Sequence, residues 1–385
     1  MKNTIKNKFI ELFAASPDMM LSSPGRINLI GEHVDYNGGW VLPAAIDKKI
    51  VFAIGKRTDH HVHIHSADFN QNYDFELINL SPSTEYMWVN YLMGVIEQFQ
   101  KEKPLPHGFN LVFGGDVPLG AGLSSSAAVE AGLAFAMNDI FKREKPLMEI
   151  VKLAQRAENQ FVKVQCGIMD MFASVMGKAG SVMRLDCRSL DFAYFPFDFP
   201  DVKIVLCDTN VKHSLGDGQY NIRRQQCEEG VAIVQKTDPS VKTLRDVPLS
   251  LLKKHQAEML PIVYQRCSYV VKEIARVEAA CKDLLKGDLA AFGRKMYQTH
   301  AGLSHYYEVS CKELDFLVKK SKTTQGVFGA RMMGGGFGGC TINLVKTAAI
   351  PAFVEQMSAA YQKRFKINLK TYTVMISDGT TKLEI

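Results

Sequence analysis

The sequence predicts an α+β protein of two domains whose glycine-rich turns face a shared cleft. Strand-like and helix-like stretches are interspersed in both halves, which favours α+β layers over an all-helical or all-strand arrangement. The chain has 385 residues, more than one core usually holds. Gly/Ser-rich turns stand in each half, at 118–126 and 334–339. The expected domains are 1–190 and 191–385, with the boundary near the Phe/Asp/Pro-rich segment 191–201.

Ile5, Phe9, Leu12 and Phe13 fall on one helical face, so an amphipathic helix opens the chain. A secretory signal is not expected there, since it would need a longer apolar centre without Glu11. Strands are expected at 41–57, 61–66 and 73–79, the last from alternation of Tyr73, Phe75 and Leu77. A helix at 87–100, a strand at 109–113 and a helix at 127–140 follow, the last with apolar residues three and four apart. A further helix over 146–164 ends in CGIMDMF (166–172), and 180–186 reads as a strand. The second half opens with a strand at 202–207 and is mostly helical from 220 to 320. After the glycine turn come a strand (340–345), a helix (350–365) and a last strand (370–376). There is no internal repeat and no low-complexity segment.

Composition narrows the function. Hydrophobic content of 46% with 22% charged residues is that of a soluble globular protein. Lys and Arg number 46 against 40 acidic residues, a net +6, and no basic block is interleaved with aromatics, so nucleic acid is not an expected partner. No run approaches the length of a membrane span. The eight cysteines form no C-x-x-C pair, which fits free thiols in a reducing compartment and a cytoplasmic protein. A monomer is compatible with the sequence.

The stretch from Pro118 to Ala127, PLGAGLSSSA, joins a strand to a helix. That arrangement aims backbone N–H groups and the helix dipole at an anion. Gly120 and Gly122 clear the way to the backbone, and Ser124, Ser125 and Ser126 add hydroxyls. A Walker loop is excluded because no Gly-Lys-Ser/Thr follows, and Ser125 breaks the dinucleotide fingerprint. On the loop alone, a phosphate site and an ordinary Gly/Ser-rich helix cap both stay open.

The stretch GRINLIGEHVDYNGG (25–39) holds Arg26, Glu32, His33, Asp35 and Asn37 threaded by apolar residues. Its acidic cluster repels phosphate but suits a polyol, since carboxylates and imidazole bind several hydroxyls. A charged surface turn accounts for any one of these residues and is the alternative for the set. Asp170, set among apolar neighbours in GIMDMF, either caps a helix or serves chemistry in a dry pocket. Glu158 on the preceding helix carries the same two readings, ligand or solvated surface. His61, His63 and His65 share one strand face, but no further ligand is apparent, which makes a solvated face the better reading.

Three stretches together resemble the motifs of the GHMP kinases, the sugar and small-molecule kinases that include galactokinase, homoserine kinase, mevalonate kinase and phosphomevalonate kinase. GRINLIGEHVDYNGG is similar to the galactokinase signature, PLGAGLSSSA (118–127) to the nucleotide loop and RMMGGGFGGC (331–340) to the third motif. Val34 and Met333 depart from the family pattern, in which threonine is common at both positions, and they bear only on fine positioning. The resemblance implies an amino-terminal α+β domain, a ferredoxin-like carboxy-terminal domain and a site in the cleft between them. It implies ATP and Mg²⁺, with galactose phosphorylated at its anomeric hydroxyl. In that reading Asp170 is the proposed base and Arg26 stabilises the transferred phosphoryl group. Ser126 and Glu158 hold Mg²⁺. Glu32, His33, Asp35, Gly167 and Tyr220 contact the sugar. The nucleotide is held by Pro118, Gly120, Gly122, Leu123, Ser124, Ser125, Ser126 and Ala127, with Trp88 in the adenine pocket. The alternatives are a kinase of N-acetylgalactosamine or arabinose, and a sugar and ATP sensor without activity. The intact Ser126-Ala127 pair favours the enzyme over the sensor.

Overall fold

The computed structural model describes residues 1–78, 80–211 and 216–385, without the side chains of Gly216 and Asp217. It begins with α1 (Lys2–Phe13), β1 (Met19–Asn28), β2 (Trp40–Val41), β3 (Pro43–Lys56), β4 (His61–Ser66), β5 (Gln71–Glu76), α2 (Met87–Glu102) and β6 (Phe109–Gly115). Helices α3 (Ser125–Ile140), α4 (Leu147–Ala157) and α5 (Met169–Met176) follow, then β7 (Ser181–Asp186) and β8 (Phe192–Pro196). The second half runs β9 (Val202–Asp208), α6 (Gly216–Gln235), α7 (Leu249–Lys254), α8 (Pro261–Leu285), α9 (Leu289–His305) and α10 (Lys312–Lys322). It closes with β10 (Val327–Met332), β11 (Cys340–Lys346), α11 (Ile350–Phe365), β12 (Lys370–Val374) and β13 (Thr381–Leu383). The end of the strand expected at 73–79, Asn79, lies outside the described residues.

Six strands form the first sheet, in the order β13-β1-β3-β6-β4-β5. Side chains alternate between its faces, as the pleat requires. Met20, Ala53 and Val112 meet Ile5 and Phe9 of α1 on one face. Leu21, Phe52 and Leu111 point the other way, into the main core with residues of α2 to α5. Leu12 is 37% exposed, so the buried stripe of α1 is narrower than its apolar pattern. Helix α3 presents Ala127, Ala128, Ala131 and Ala134, small side chains that let it lie close to the sheet. Gly132 marks the closest approach, where a Cβ would stand 2.4 Å from the Phe52 ring. This packing fixes where α3 begins, and hence where its loop can hold a ligand.

The second sheet, β10-β11-β9-β12, is antiparallel throughout. Val205, Cys207 and Val345 on one face pack with Leu317 of α10 and Phe353, Met357 and Tyr361 of α11. Ile204, Leu206, Ile342 and Leu344 on the other join the main core, which also takes Phe292 and Met296 of α9. A small third sheet, β2-β7-β8, fills the segment expected to be a boundary: β8 pairs with β7 from Leu185↔Phe192 to Ser181↔Pro196. The expected last strand ends at Val374, and the chain then returns to the first sheet, pairing Leu383 with Met20 of β1. Among the described residues no helix is long and apolar enough to cross a membrane.

Candidate active site

Strand β1 changes register between Pro24 and Arg26. Proline cannot donate to a ladder and is tolerated in a central strand at such an irregularity. The shift frees the Arg26 N–H to donate to the Leu123 carbonyl at 3.1 Å, and a Cβ on Gly25 would stand only 2.8 Å from that oxygen. The strand is thereby tied to the 118–126 loop. Gly120 and Gly122 both adopt φ of +73° there, a conformation that costs glycine little. Ser124, at the start of α3, makes no side-chain cap, so the N–H groups of the first turn have no capping side chain. Its hydroxyl donates instead to Asp170 Oδ2 at 2.5 Å. The third motif lies against this loop, since a Cβ on Gly334 would be 3.7 Å from the Gly122 carbonyl oxygen. The two glycine turns do meet at one cleft.

Asp170 stands in the first turn of α5 and faces Arg26 squarely. Arg26 Nε donates to Oδ1 at 2.7 Å, Nη2 to Oδ2 at 2.8 Å, and Nη1 to the Gly122 carbonyl at 2.6 Å. Burial works against the guanidinium charge, but Asp170, Glu32 and Asp35 more than offset it and raise its pKa. The Asp170 side chain keeps 28% of its surface exposed to the cleft, whereas Arg26 is almost wholly buried.

The cleft encloses a cavity of about 590 Å³ whose walls include Arg26, Asp170, Asp35, Tyr220 and Glu158. Glu32 reaches it with a carboxylate already engaged: Arg331 Nη1 at 2.6 Å, Asn28 Nδ2 at 3.1 Å and the Gly334 N–H at 3.2 Å. His33 adopts φ of +60° and is held at both ring nitrogens, by the Tyr36 hydroxyl and by the Gly335 carbonyl. Burial pushes its pKa down to about 3, so the ring is neutral. Burial, with the nearby Asp170 charge, pushes Asp35 up to about 7. Gly167 is forced by Asp35, because a Cβ there would stand 1.6 Å from Asp35 Oδ2. Tyr220 covers this corner, 5.4 Å from the rings of both His33 and Tyr36.

Glu158 opens a π-helical turn, Glu158–Val162, that widens the end of α4. Such turns re-aim a side chain within a helix and are frequent at functional sites. Burial, reinforced by Asp170, raises Glu158 to about 7, while hydrogen bonds from Cys166, Glu130 and Ser126 act to lower it. Behind it stands Glu130, one helical turn beyond Ser126 and fully buried. No donor reaches either of its oxygens. Burial first, then the charge of Glu158, lifts its pKa well above the usual carboxylate range, so its own proton joins the two acids. Glu130 escapes a sequence reading because a glutamate inside an apolar helix looks like a solvated position. The sequence offered no signal for Cys166 either, whose Sγ lies 3.4 Å from Glu158 Oε2.

The other expected residues fall as follows. Trp88 packs on Phe69 and Phe113 and donates to Gln71 at 2.8 Å, while its neighbours Met87 and Tyr91 line the cavity. Val34, Met332 and Met333 are buried. Met333 Sδ accepts from the Asn28 N–H at 3.5 Å, the kind of gap-filling that methionine permits. The three histidines of β4 face β5, where His63 meets Asp74 at 2.7 Å and His65 meets Asn72 at 2.7 Å. His65 is buried, so the face is less solvated than its sequence reads.

The fold and the three motifs at its cleft define a GHMP kinase. Residues 90–178 match the model of the GHMP kinases N terminal domain and 280–363 that of GHMP kinases C terminal. The mevalonate kinase of Methanococcus jannaschii shares the fold, with a TM-score of 0.67 at 19% identity over 94% of this chain and 98% of its own. Residues 7–56 match the galactokinase galactose-binding signature. The galactokinase of Clostridium beijerinckii is 40% identical over 99% of each chain. The Lactococcus lactis galactokinase, solved as a complex with galactose, superposes with a TM-score of 0.95 at 32% identity over 99% of each chain. The chain belongs to the galactokinase family.

Proposed function

We propose that this chain transfers the γ-phosphoryl group of ATP to the anomeric hydroxyl of galactose, giving galactose 1-phosphate and ADP. The observation that carries the reading is the Arg26–Asp170 pair, gripped at both carboxylate oxygens and tied to the glycine loop through Gly122. Asp170 accepts the proton of the attacking hydroxyl. Arg26, between carboxylate and loop, stabilises charge on the transferred group. Phosphoryl transfer asks for little covalent chemistry from the protein, so positioning and electrostatics supply most of the rate. The backbone from Pro118 to Ala127 and the uncapped start of α3 receive the phosphates, with Leu123, Ser125 and Ser126 among the contacts. Glu32, His33, Asp35, Gly167 and Tyr220 shape the sugar site, and Trp88 backs the adenine side. With all eight cysteines free, we place the protein in the cytoplasm.

Ser126 and Glu158 fit Mg²⁺. They are hard oxygen donors beside the loop, and among the described residues there is no group of three or more His, Cys, Asp or Glu arranged to hold a metal. Mg²⁺ commonly binds through one or two carboxylates and the substrate's phosphates, so a full protein cage is not required. When bound, the ion neutralises charge on the phosphates. Glu158→Gln keeps the side-chain shape and removes the anionic ligand. The variant is expected to need roughly tenfold or more Mg²⁺ for half-maximal rate, with galactose affinity unchanged. Titrating Mg²⁺ at fixed ATP reads this, and an unchanged requirement removes Glu158 from the metal site.

A coupled ADP-release assay across sugars tests the substrate. Galactose and glucose differ at the hydroxyl at position 4, and an inverted hydroxyl leaves buried partners unpaired at about 1–3 kcal/mol for each neutral group. Galactose is expected to be preferred over glucose by roughly 100-fold or more in kcat/KM. N-acetylgalactosamine and arabinose are expected to be poor substrates. Comparable efficiency with N-acetylgalactosamine would show a wider pocket than the galactokinase reading allows.

A further inference from the structure

Four side chains and one backbone carbonyl form a continuous hydrogen-bonded line along the wall of the sugar cavity. Cys227 Sγ lies 3.3 Å from the Tyr307 hydroxyl, which lies 2.8 Å from the Tyr36 hydroxyl. The Tyr36 hydroxyl lies 2.8 Å from His33 Nδ1, and His33 Nε2 lies 3.2 Å from the Gly335 carbonyl. His33 and Gly335 both line the cavity. The line crosses the molecule, from α6 through the segment just after α9 to the first motif and on to the third.

The direction of every bond in this line is fixed by one end. A carbonyl oxygen only accepts, so His33 Nε2 must carry a proton to bond with Gly335. The ring is buried and neutral, which leaves Nδ1 as an acceptor. Tyr36 therefore spends its one proton on Nδ1 and must accept from Tyr307. Tyr307 in turn accepts from the Cys227 thiol. The opposite tautomer would set a lone pair against the Gly335 carbonyl and a ring N–H against a tyrosine whose proton must then turn away. It loses two bonds at once. Tyr307 and Cys227 are buried, and the Tyr269 and Tyr307 rings pack 4.8 Å apart, so solvent does not substitute for either partner.

We propose that Tyr36 and Tyr307 are positioning residues for His33: the Tyr36 hydroxyl, oriented by Tyr307, donates to Nδ1 while the Nε2–H is given to the Gly335 carbonyl, so that the ring, satisfied at both nitrogens, clasps the first motif to the third along the pocket wall. The clasp between the first motif and the glycine turn of the third is thereby set before any ligand enters. The inference rests on the galactose reading for its ligand, but not for its tautomer.

The test uses the full chain labelled with ¹⁵N-histidine, without ligand, with the His33 signals assigned by their loss in His33→Asn. The expected spectrum has a pyridine-like Nδ1 and a pyrrole-like Nε2. Tyr36→Phe removes the donor to Nδ1 and is expected to move the Nδ1 signal downfield, toward that of a pyridine-like nitrogen without a hydrogen bond, with Nε2 still pyrrole-like. It is also expected to weaken galactose binding roughly 3- to 10-fold, with kcat changed less than KM. Tyr307→Phe leaves Tyr36 its proton and is expected to keep the tautomer with a smaller loss of affinity. A pyrrole-like Nδ1 in the unaltered protein overturns the proposal, and that measurement stands even where a variant does not fold. A Tyr36→Phe protein whose Nδ1 signal does not move overturns it as well. A correct tautomer in a protein that does not phosphorylate galactose would overturn the substrate reading alone.

Discussion

Asp170→Asn is expected to lower turnover by roughly 100- to 10,000-fold, the usual cost of losing a general base. The amide keeps the shape of the carboxylate and one acceptor oxygen, so Arg26 Nε can still donate as it does to Oδ1 at 2.7 Å. The other contact does not survive intact. Oδ2 receives both Arg26 Nη2 at 2.8 Å and the Ser124 hydroxyl at 2.5 Å, and an amide nitrogen there would face two donors. Ser124 can turn its hydroxyl to accept, whereas the guanidinium cannot. Half of the grip on Arg26 is therefore lost, while the cavity walls at Asp35, His33 and Tyr220 stand. Galactose binding measured by calorimetry should stay within a few-fold of the unaltered protein. More than a tenth of the original turnover would mean that the hydroxyl loses its proton without Asp170, and that Arg26 carries the rate by charge alone.

The Gly/Ser-rich loop before α3 was legible in sequence as a strand-to-helix turn because its signals are local. Alanines and larger apolar residues at helical spacing mark α3, and the glycines before it mark a turn that only a strand and a helix can flank. The first motif was legible as a set, since Arg26, Glu32, His33 and Asp35 crowd into ten residues with a buried apolar thread between them. What escaped depends on partners distant in the chain. The stretch from Ser22 to Gly25 carries a Pro-Gly pair and is given no element from sequence, yet it is the buried middle of β1, made possible by the register shift beside Pro24. Strand β13 is three residues with no apolar alternation, and it exists only because β1 offers it an edge. The π-turn at Glu158 and the proton shared with Glu130 follow from how α4 meets α3, which periodicity within either helix cannot report. Glu32 looked like a free sugar ligand because its partner, Arg331, lies about three hundred residues away.

Arg26→Lys is expected to cost turnover roughly 100- to 1,000-fold, close to the loss of a preorganised donor aimed at developing charge. Charge is conserved in this change, so any large effect must come from geometry. The guanidinium serves three acceptors at once, both oxygens of Asp170 and the Gly122 carbonyl. An ammonium on a flexible stem is a single point and cannot span a bidentate carboxylate and a carbonyl beyond it. Releasing Gly122 loosens the phosphate loop, so KM for ATP should rise as well, an effect absent from Asp170→Asn. This difference separates the two residues experimentally. A fall of less than tenfold in kcat would show that a positive charge anywhere near Asp170 suffices, and that the fork has no special part. The double variant decides whether the pair is one device. Residues that act as a unit are strongly non-additive, so Asp170→Asn with Arg26→Lys should be little slower than the worse of the two single variants. Additive losses would mean that proton acceptance by Asp170 and charge stabilisation by Arg26 proceed independently, despite their shared hydrogen bonds.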